Sequence, residues 1–391
     1  RAMKIGVPKE THPGGARVAL VPKGAEALKK LGLDVLVQSG AGAAAAFPDQ
    51  AYKDKGAEIA ATREDVFQNA DVILQVRTPG ANPEGGAEDL QLCRKGQFVI
   101  GSADPLGNPA MNKDFAETGA MLMALELLPR ITRAQSMDVL SSQATVAGYK
   151  AVLTAANHLP RMFPMLMTAA GTVTPAKVFI IGAGVAGLMA IAQARKLGAV
   201  VEAYDIRPAV KEQVESLGAR FVEMELEVGE SEDKGGYAKA MDEDFYRKQR
   251  ELMAKVVAVS DVVITTAAIP GRKAPILVTT EMVESMREGS VVVDLAAPGG
   301  GNCEATKAGE TVEVGGVKVF GPMNLPAEVP ADASRLYSGN LVNLLKHLVK
   351  DGELVLDEED EITAGIIVTR DGKIAHPKVL EVLGAAGQAS E

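Results

Sequence analysis

Residues 177–207 read KVFIIGAGVAGLMAIAQARKLGAVVEAYDIR. An apolar run at 178–181 meets Gly182, Gly184 and Gly187, which open a helical pattern at 186–197. A second apolar run then ends at Asp205. The glycine spacing alone is a weak signal in a chain with 40 glycines. Strand, glycine loop, helix and a second strand closing on an acid together form the context of a dinucleotide-binding unit. Gly182 permits the tight turn, Gly184 lets backbone approach a pyrophosphate, and Gly187 lets helix pack against strand. Val185 and Ala186 lie where the helix begins, and its free N–H groups suit an anion. Asp205 accepts hydrogen bonds from both adenosine ribose hydroxyls and repels a 2′-phosphate, which favours NAD(H) over NADP(H). Ile206 and Arg207 follow in the same turn. Arg207 blurs that preference if it faces the nucleotide and leaves it intact if it is a surface arginine.

Outward from this unit, short β-branched runs alternate with helical patterns, the signature of an α/β chain with parallel sheets. Strands are expected at 4–7, 34–38, 58–60, 72–76, 98–100 and 121–124, with helices at 23–31, 50–55, 63–68 and 111–118. A long helix is expected over 137–159. A second set of strands follows at 177–181, 200–204, 220–223, 261–265, 290–295 and 317–321, then a second long helix over 330–349. EITAGIIVTRDGKIAHP (361–377) reads as a small β element turning at Asp371-Gly372. GAAGQASE (384–391) reads as linker-like. The expectation is two Rossmann-like parallel-sheet domains joined by long helices, the second inserted in the first. An N-terminal α/β domain would comprise 1–138 and 330–384, a nucleotide-binding domain 139–329, and a flexible tail 385–391.

Two further loops fall where open parallel sheets bind ligands, at C-terminal strand ends. DVVITTAAIPG (261–271) places Thr265, Thr266 and Ala267 there, and VVVDLAAPGGGN (291–302) repeats the arrangement; both suit the nicotinamide side or simple strand-to-helix turning. The acidic segment 224–245 has little apolar periodicity. Gly235-Gly236 beside Tyr237 suggests a hinged flap carrying one aromatic residue, or a plain insertion.

A net charge of −10 argues against a nucleic-acid footprint. Cys93 and Cys303 offer neither a zinc pattern nor a disulfide framework. No stretch approaches the ~20 apolar residues of a membrane helix. No hydrophobic signal region opens the chain, and Arg1-Ala2 reads as a remnant before Met3. A cytoplasmic protein without a membrane span of its own is expected.

A dehydrogenase acting on a carbonyl needs an acid–base group near the hydride acceptor. The four histidines are His12, His158, His347 and His376, and none falls at a strand end facing the nucleotide. If the acceptor is a second nicotinamide, no oxygen or nitrogen changes protonation as hydride passes between ring carbons. Fixed polar groups are then wanted, and a titrating base is not. The run PRITRAQSMDVLSSQATVAGY (129–149) is rich in such groups.

Several segments resemble the NAD(H)-binding alpha subunit, or domain I, of the proton-translocating NAD(P) transhydrogenases. They are KIGVPKE (4–10), RVAL (17–20), PRITRAQSMDVLSSQ (129–143), AGYKAV (147–152), MTAAGTVTPAKV (167–178), GAGVAGL (182–188), KEQVESLGA (211–219), GGYAKAM (235–241) and NLPAEVPADAS (324–334). Alanine dehydrogenases share the fold and an arginine in an RVAL-like stretch, matched by Arg17. Their lysine in a KVKEP-like segment corresponds to QVRTP with Arg77, and their histidine after the next strand to FVIGSADPL with Ser102. The resemblance implies that Arg130, Gln135 and Asp138 position the nicotinamide ring, with Ser141 near the carboxamide. It implies that Tyr237 sits on a mobile loop closing over bound nucleotide and that Asp205 lies on the adenosine ribose. It further implies a homodimer, docked on an NADP(H)-binding component and on membrane subunits that move protons, and so peripherally attached to the membrane. An amino-acid dehydrogenase and a non-catalytic NAD-sensing subunit are the two rival readings.

Overall fold

The computed structural model describes residues 1–223, 243–269 and 272–389. The chain forms two compact units: Arg1–Gln143 with Ala327–Glu391, and Ala144–Pro326. Its class is α/β with Rossmann-like parallel sheets, as expected from the alternating pattern.

Unit 1 holds β1 (Lys4–Val7), β2 (Asp34–Gln38), β3 (Glu58–Ala60), β4 (Val72–Arg77), β5 (Phe98–Ser102) and β6 (Met121–Ala124). They form one sheet in the order β3-β2-β1-β4-β5-β6, every pairing parallel. Strand direction sets the two cores, because successive side chains point to opposite faces. Val72, Leu74 and Val76 enter one hydrophobic cluster, while Ile73 between them enters another with Val99 and Leu122. The helix Pro330–Leu348 completes the first cluster through Tyr337, Leu341 and Leu345. Its hydroxyls also serve the N-terminal chain: Val18 N donates to Ser334 Oγ and Val21 N to Ser338 Oγ.

Unit 2 opens with a hairpin, β7 (Leu166–Thr168) and β8 (Gly171–Val173). Its sheet contains β9 (Lys177–Ile181), β10 (Val200–Tyr204), β11 (Arg220–Phe221), β12 (Val262–Thr265), β13 (Val291–Asp294), β14 (Thr311–Val314) and β15 (Val317–Phe320). The order is β11-β10-β9-β12-β13-β15-β14, with β14 alone antiparallel. Register aligns Val178, Val262 and Val291 across the centre. These three pack on one face with Ile180 and Ile264, while Phe179, Val263 and Val292 pack on the other. A sheet buried on both faces requires such continuous apolar runs.

Several elements differ from the sequence expectation. The long helix begins at Val139, because Thr132–Met137 forms a 3₁₀ turn and Asp138 caps the helix after it. The hairpin β7–β8, the edge strand β14 and the helix Gly86–Leu92 carry little periodicity, since each lies largely at the surface. The segment 361–377 is only partly β: Glu361–Ile366 is a helix capped by Asp360, and the hairpin is confined to Thr369–Arg370 and Lys373–Ile374. Asp371 (φ 51°) and Gly372 (φ 78°) make its left-handed turn. The stretch read as a flexible tail is helical through Ala389, within the helix Pro377–Ala389. Most of the flap segment 224–245, Tyr237 included, lies outside the described residues.

Candidate nucleotide site

In unit 2 the three glycines of the opening stretch meet three different demands. Gly182 has φ 98°, a left-handed conformation that disfavours any Cβ. A Cβ on Gly187 would lie 1.8 Å from the Gly182 carbonyl oxygen, so helix and strand touch there only without a side chain. Gly184 is unlike both. Its φ is −77°, open to any residue, and a Cβ there would meet nothing nearer than Arg207 Nη2 at 3.8 Å. The fold does not need that glycine; the space above it does. Gly184 is the N-cap of the helix Val185–Lys196 and offers no side-chain cap, so the first helical N–H groups have no side-chain acceptor there. Val185 is exposed and Ala186 half-buried at this end. A vacant glycine surface beside uncapped helical donors fits a diphosphate.

Asp205, at the end of β10, is buried. Its Oδ2 accepts from Ala183 N at 2.8 Å and from Arg207 Nη2 at 3.0 Å. Its Oδ1 accepts from Arg207 N at 2.8 Å and Arg207 Nε at 3.0 Å. Ile206 between them is half-buried. Of the two sequence readings of Arg207, the surface arginine is set aside: its guanidinium folds back on the acid.

The β12 loop is tied down from below. Thr265 Oγ1 donates to Asp294 Oδ1 at 2.9 Å, and Thr266 Oγ1 donates to the Gly182 carbonyl at 2.9 Å. Ala267 N donates to Asn302 Oδ1, and Asn302 Nδ2 donates back to the Ala267 and Pro275 carbonyls. Asp294 is fully satisfied by Thr265, Ala296 N, Cys303 N and Thr306. The threonine hydroxyls therefore serve the protein's own backbone and Asp294. Asn302, which sequence reading left as the end of a turning loop, is the residue that sets the loop's position. Its signal was its place after three glycines, two of which, Gly300 and Gly301, adopt positive φ. Burial pushes the Cys303 thiol up to about 11, so it stays protonated near neutrality.

In unit 1 the polar run 129–143 divides into anchors and offered groups. Arg133 pairs with Asp360 at 2.8 Å, and Asn340 and Asn343 both donate to the Ser136 carbonyl. Ser142 donates to Asn340 Oδ1, and Gln143 bridges the Ala333 carbonyl to Arg17 Nη1. These contacts hold the segment to helix Pro330–Leu348. Asp138 accepts from Ser141 Oγ at 2.6 Å and Ser141 N at 3.1 Å, and lies 3.5 Å from Arg130 Nη1. Arg130, Asp138 and Ser141 are thus assembled, and Gln135 is exposed on the adjoining turn.

At the C-terminal end of the same sheet, Glu10 Oε1 accepts from Arg77 N at 2.9 Å, while Glu10 Oε2 and His12 Nδ1 are enclosed without a hydrogen-bond partner. Burial raises the Glu10 carboxyl to about 7. Burial, then the charge of Arg77, lowers His12. His347 bonds Asp360 in unit 1, and His376 is near the Gly365 carbonyl. His158 lies against the Phe320 ring in unit 2. Among the described residues no group of His, Cys, Asp and Glu could hold a metal ion, and no helix is long and apolar enough to cross a membrane.

Residues 6–147 match the family description "Alanine dehydrogenase/PNT, N-terminal domain" and residues 151–377 match "Alanine dehydrogenase/PNT, C-terminal domain". This chain belongs to the alanine dehydrogenase/PNT family. Within that family it is 47% identical to the first of the polypeptides making up the NAD(P) transhydrogenase subunit alpha of Rhodospirillum rubrum, over 96% of this chain and 98% of that one. A solved transhydrogenase from Sinorhizobium meliloti superposes with a TM-score of 0.85 at 48% identity, covering 95% of this chain and all of the other. A solved L-alanine dehydrogenase gives 0.80 at 26% identity, over 98% and 99%. The resemblance to transhydrogenase alpha subunits seen in the sequence is borne out, as is the fold shared with alanine dehydrogenases. For an alanine dehydrogenase/PNT chain, the glycine loop and Asp205 of unit 2 are the dinucleotide-binding features of a Rossmann-like oxidoreductase.

Proposed function

We propose that this chain is the NAD(H)-binding component of a proton-translocating NAD(P) transhydrogenase. In this reading bound NADH supplies a hydride that passes directly to NADP⁺ held on a partner component. The observation that carries the reading is the Arg130–Asp138–Ser141 assembly: charged and hydrogen-bonding, with no histidine or lysine in it. Such a set orients a ring and exchanges no proton. Arg130, Gln135 and Asp138 position the nicotinamide, and Ser141 serves its carboxamide. The Gly182–Gly187 loop and the start of its helix hold the diphosphate, and Asp205 holds the adenosine ribose. Arg207 and Ile206 border that end, Thr265, Thr266 and Ala267 form the floor on the nicotinamide side, and Tyr237 closes over the nucleotide.

The same reading makes the chain a homodimer, attached to the membrane through partner subunits that carry the proton path. Exposed Met162, Met165 and Met167, the last 73% exposed, support an associating surface. The domain division 1–138 with 330–384, and 139–329, belongs to this reading too.

One observation favours amino-acid dehydrogenation instead: buried Arg17 in the unit whose sheet end carries Glu10 and His12. NADH oxidation by the purified chain separates the two. Turnover with pyruvate and ammonium alone overturns the transhydrogenase reading. Oxidation only with an NADP⁺-loaded partner component upholds it. NADH binding with no oxidation in either assay leaves a sensor subunit as the function.

A further inference from the structure

We propose that Arg207 is a phosphate-binding residue that changes partners when a nucleotide enters, releasing Asp205 to the ribose. The inference rests on the nucleotide-site reading above and adds a role that reading does not contain. A carboxylate offers about four lone-pair sites. In Asp205 all are engaged: Oδ1 by Arg207 N and Nε, Oδ2 by Ala183 N and Arg207 Nη2. A ribose diol donates two hydrogen bonds and finds no acceptor until the guanidinium leaves. The two backbone donors stay, so the carboxylate keeps its place while two of its sites open.

The guanidinium has a destination within reach. Arg207 Nη2 borders the space above Gly184, the one protein atom within 4 Å of the position a Cβ would take there. That space adjoins the uncapped start of helix Val185–Lys196. A planar fork of donors suits phosphate oxygens, which it binds bidentately. The exchange trades one ion pair for another: Arg207 passes from carboxylate to phosphate, and Asp205 passes from guanidinium to diol. It also sets selectivity. Once Arg207 has moved, Asp205 is no longer neutralised and faces any 2′-phosphate with full charge, so the phosphate that Arg207 takes is the diphosphate.

The test compares Arg207→Ala with the parent full chain, measuring affinity for NADH, NADPH and adenosine. Adenosine brings the diol without a phosphate, so in the parent it must displace the guanidinium uncompensated. The expected result has opposite signs. Arg207→Ala weakens NADH by about tenfold, the worth of a charge-assisted hydrogen bond, and tightens adenosine by roughly three- to tenfold, because the internal competitor is gone. Arg207→Lys, which keeps the charge but loses the fork, falls between the two for NADH. If both ligands weaken together, Arg207 only braces the loop and the proposal is overturned. If NADH is unchanged and NADPH alone weakens, the 2′-phosphate is the true partner and the proposal is again overturned. Unchanged affinities for all three ligands overturn it as well. Failure of the parent chain to bind NADH at all sinks the underlying site reading instead, a result distinguishable from the others.

Discussion

Ser141 grips Asp138 twice, donating its hydroxyl to Oδ2 at 2.6 Å and its backbone N–H to Oδ1 at 3.1 Å. Asp138 is thereby both the cap of helix Val139–His158 and, through its 3.5 Å approach to Arg130, part of the charged assembly. The two roles separate by substitution. Asparagine caps helices as well as aspartate, so Asp138→Asn should melt within a few degrees of the parent. Hydride transfer to the NADP⁺-loaded partner should fall about tenfold or more, the scale of one lost charged contact. Asp138→Ala should lose both, at a cost of about 1 kcal/mol in stability. Transfer undiminished in Asp138→Asn would reduce this residue to a cap.

Gly184 and Gly187, three residues apart, should respond oppositely to alanine. Gly187→Ala drives a methyl to 1.8 Å from the Gly182 carbonyl and should destabilise unit 2 by about 1–3 kcal/mol, visible in thermal melts. Gly184→Ala meets open space, should leave the melt unchanged, and should weaken NADH by about tenfold or more as the backbone loses its approach to the diphosphate. A Gly184→Ala protein that binds NADH normally would show that no ligand uses this surface.

Asn302 closes three hydrogen bonds with Ala267 and Pro275, and is buried. Asn302→Ala leaves those backbone groups without partners and should cost about 1–3 kcal/mol. Asn302→Asp keeps the acceptor for Ala267 N but turns the Nδ2 donor into an acceptor facing two carbonyls, so it should be at least as harmful. Urea denaturation of both variants checks this; an Asn302→Asp protein as stable as the parent would contradict the bonding pattern.

Glu10 makes stability depend on pH. Its carboxyl is raised by burial from about 4.5 to about 7 in the folded chain, so between those values the folded state binds more protons than the unfolded one. Stability then falls as pH rises through that window. The loss is on the order of 2 kcal/mol by pH 8. Glu10→Gln, neutral at every pH, should match the parent near pH 4.5 and exceed it at pH 8. Equal pH slopes for the two proteins would rule the effect out.

Local chemistry was legible without coordinates. The strand, glycine loop and helix at 177–196 depend on neighbours a few residues apart, and so does the turn at Asp371-Gly372. So do the buried strands, whose continuous apolar runs can pack only inside a sheet covered on both faces. The short surface elements escaped, because β7, β8 and β14 bury too little to impose a pattern. The helix reaching Ala389 escaped too, since composition rich in glycine and alanine says little about whether a chain is ordered.

What the sequence by itself determined is the set of parts: two parallel α/β sheets, a dinucleotide loop closing on an acid, and a polar run ahead of a long helix. What only the tertiary structure decided is how their donors and acceptors are shared. Asn302 reaches Ala267, Ser334 and Ser338 reach the chain at 18–21, Asn340 and Asn343 hold Ser136, and Arg207 saturates Asp205. The first three sets join residues distant in sequence, and all four depend on side-chain direction. Hydrogen bonds form over about 3 Å with strict geometry, so a linear pattern can supply the groups while only the folded chain chooses their partners.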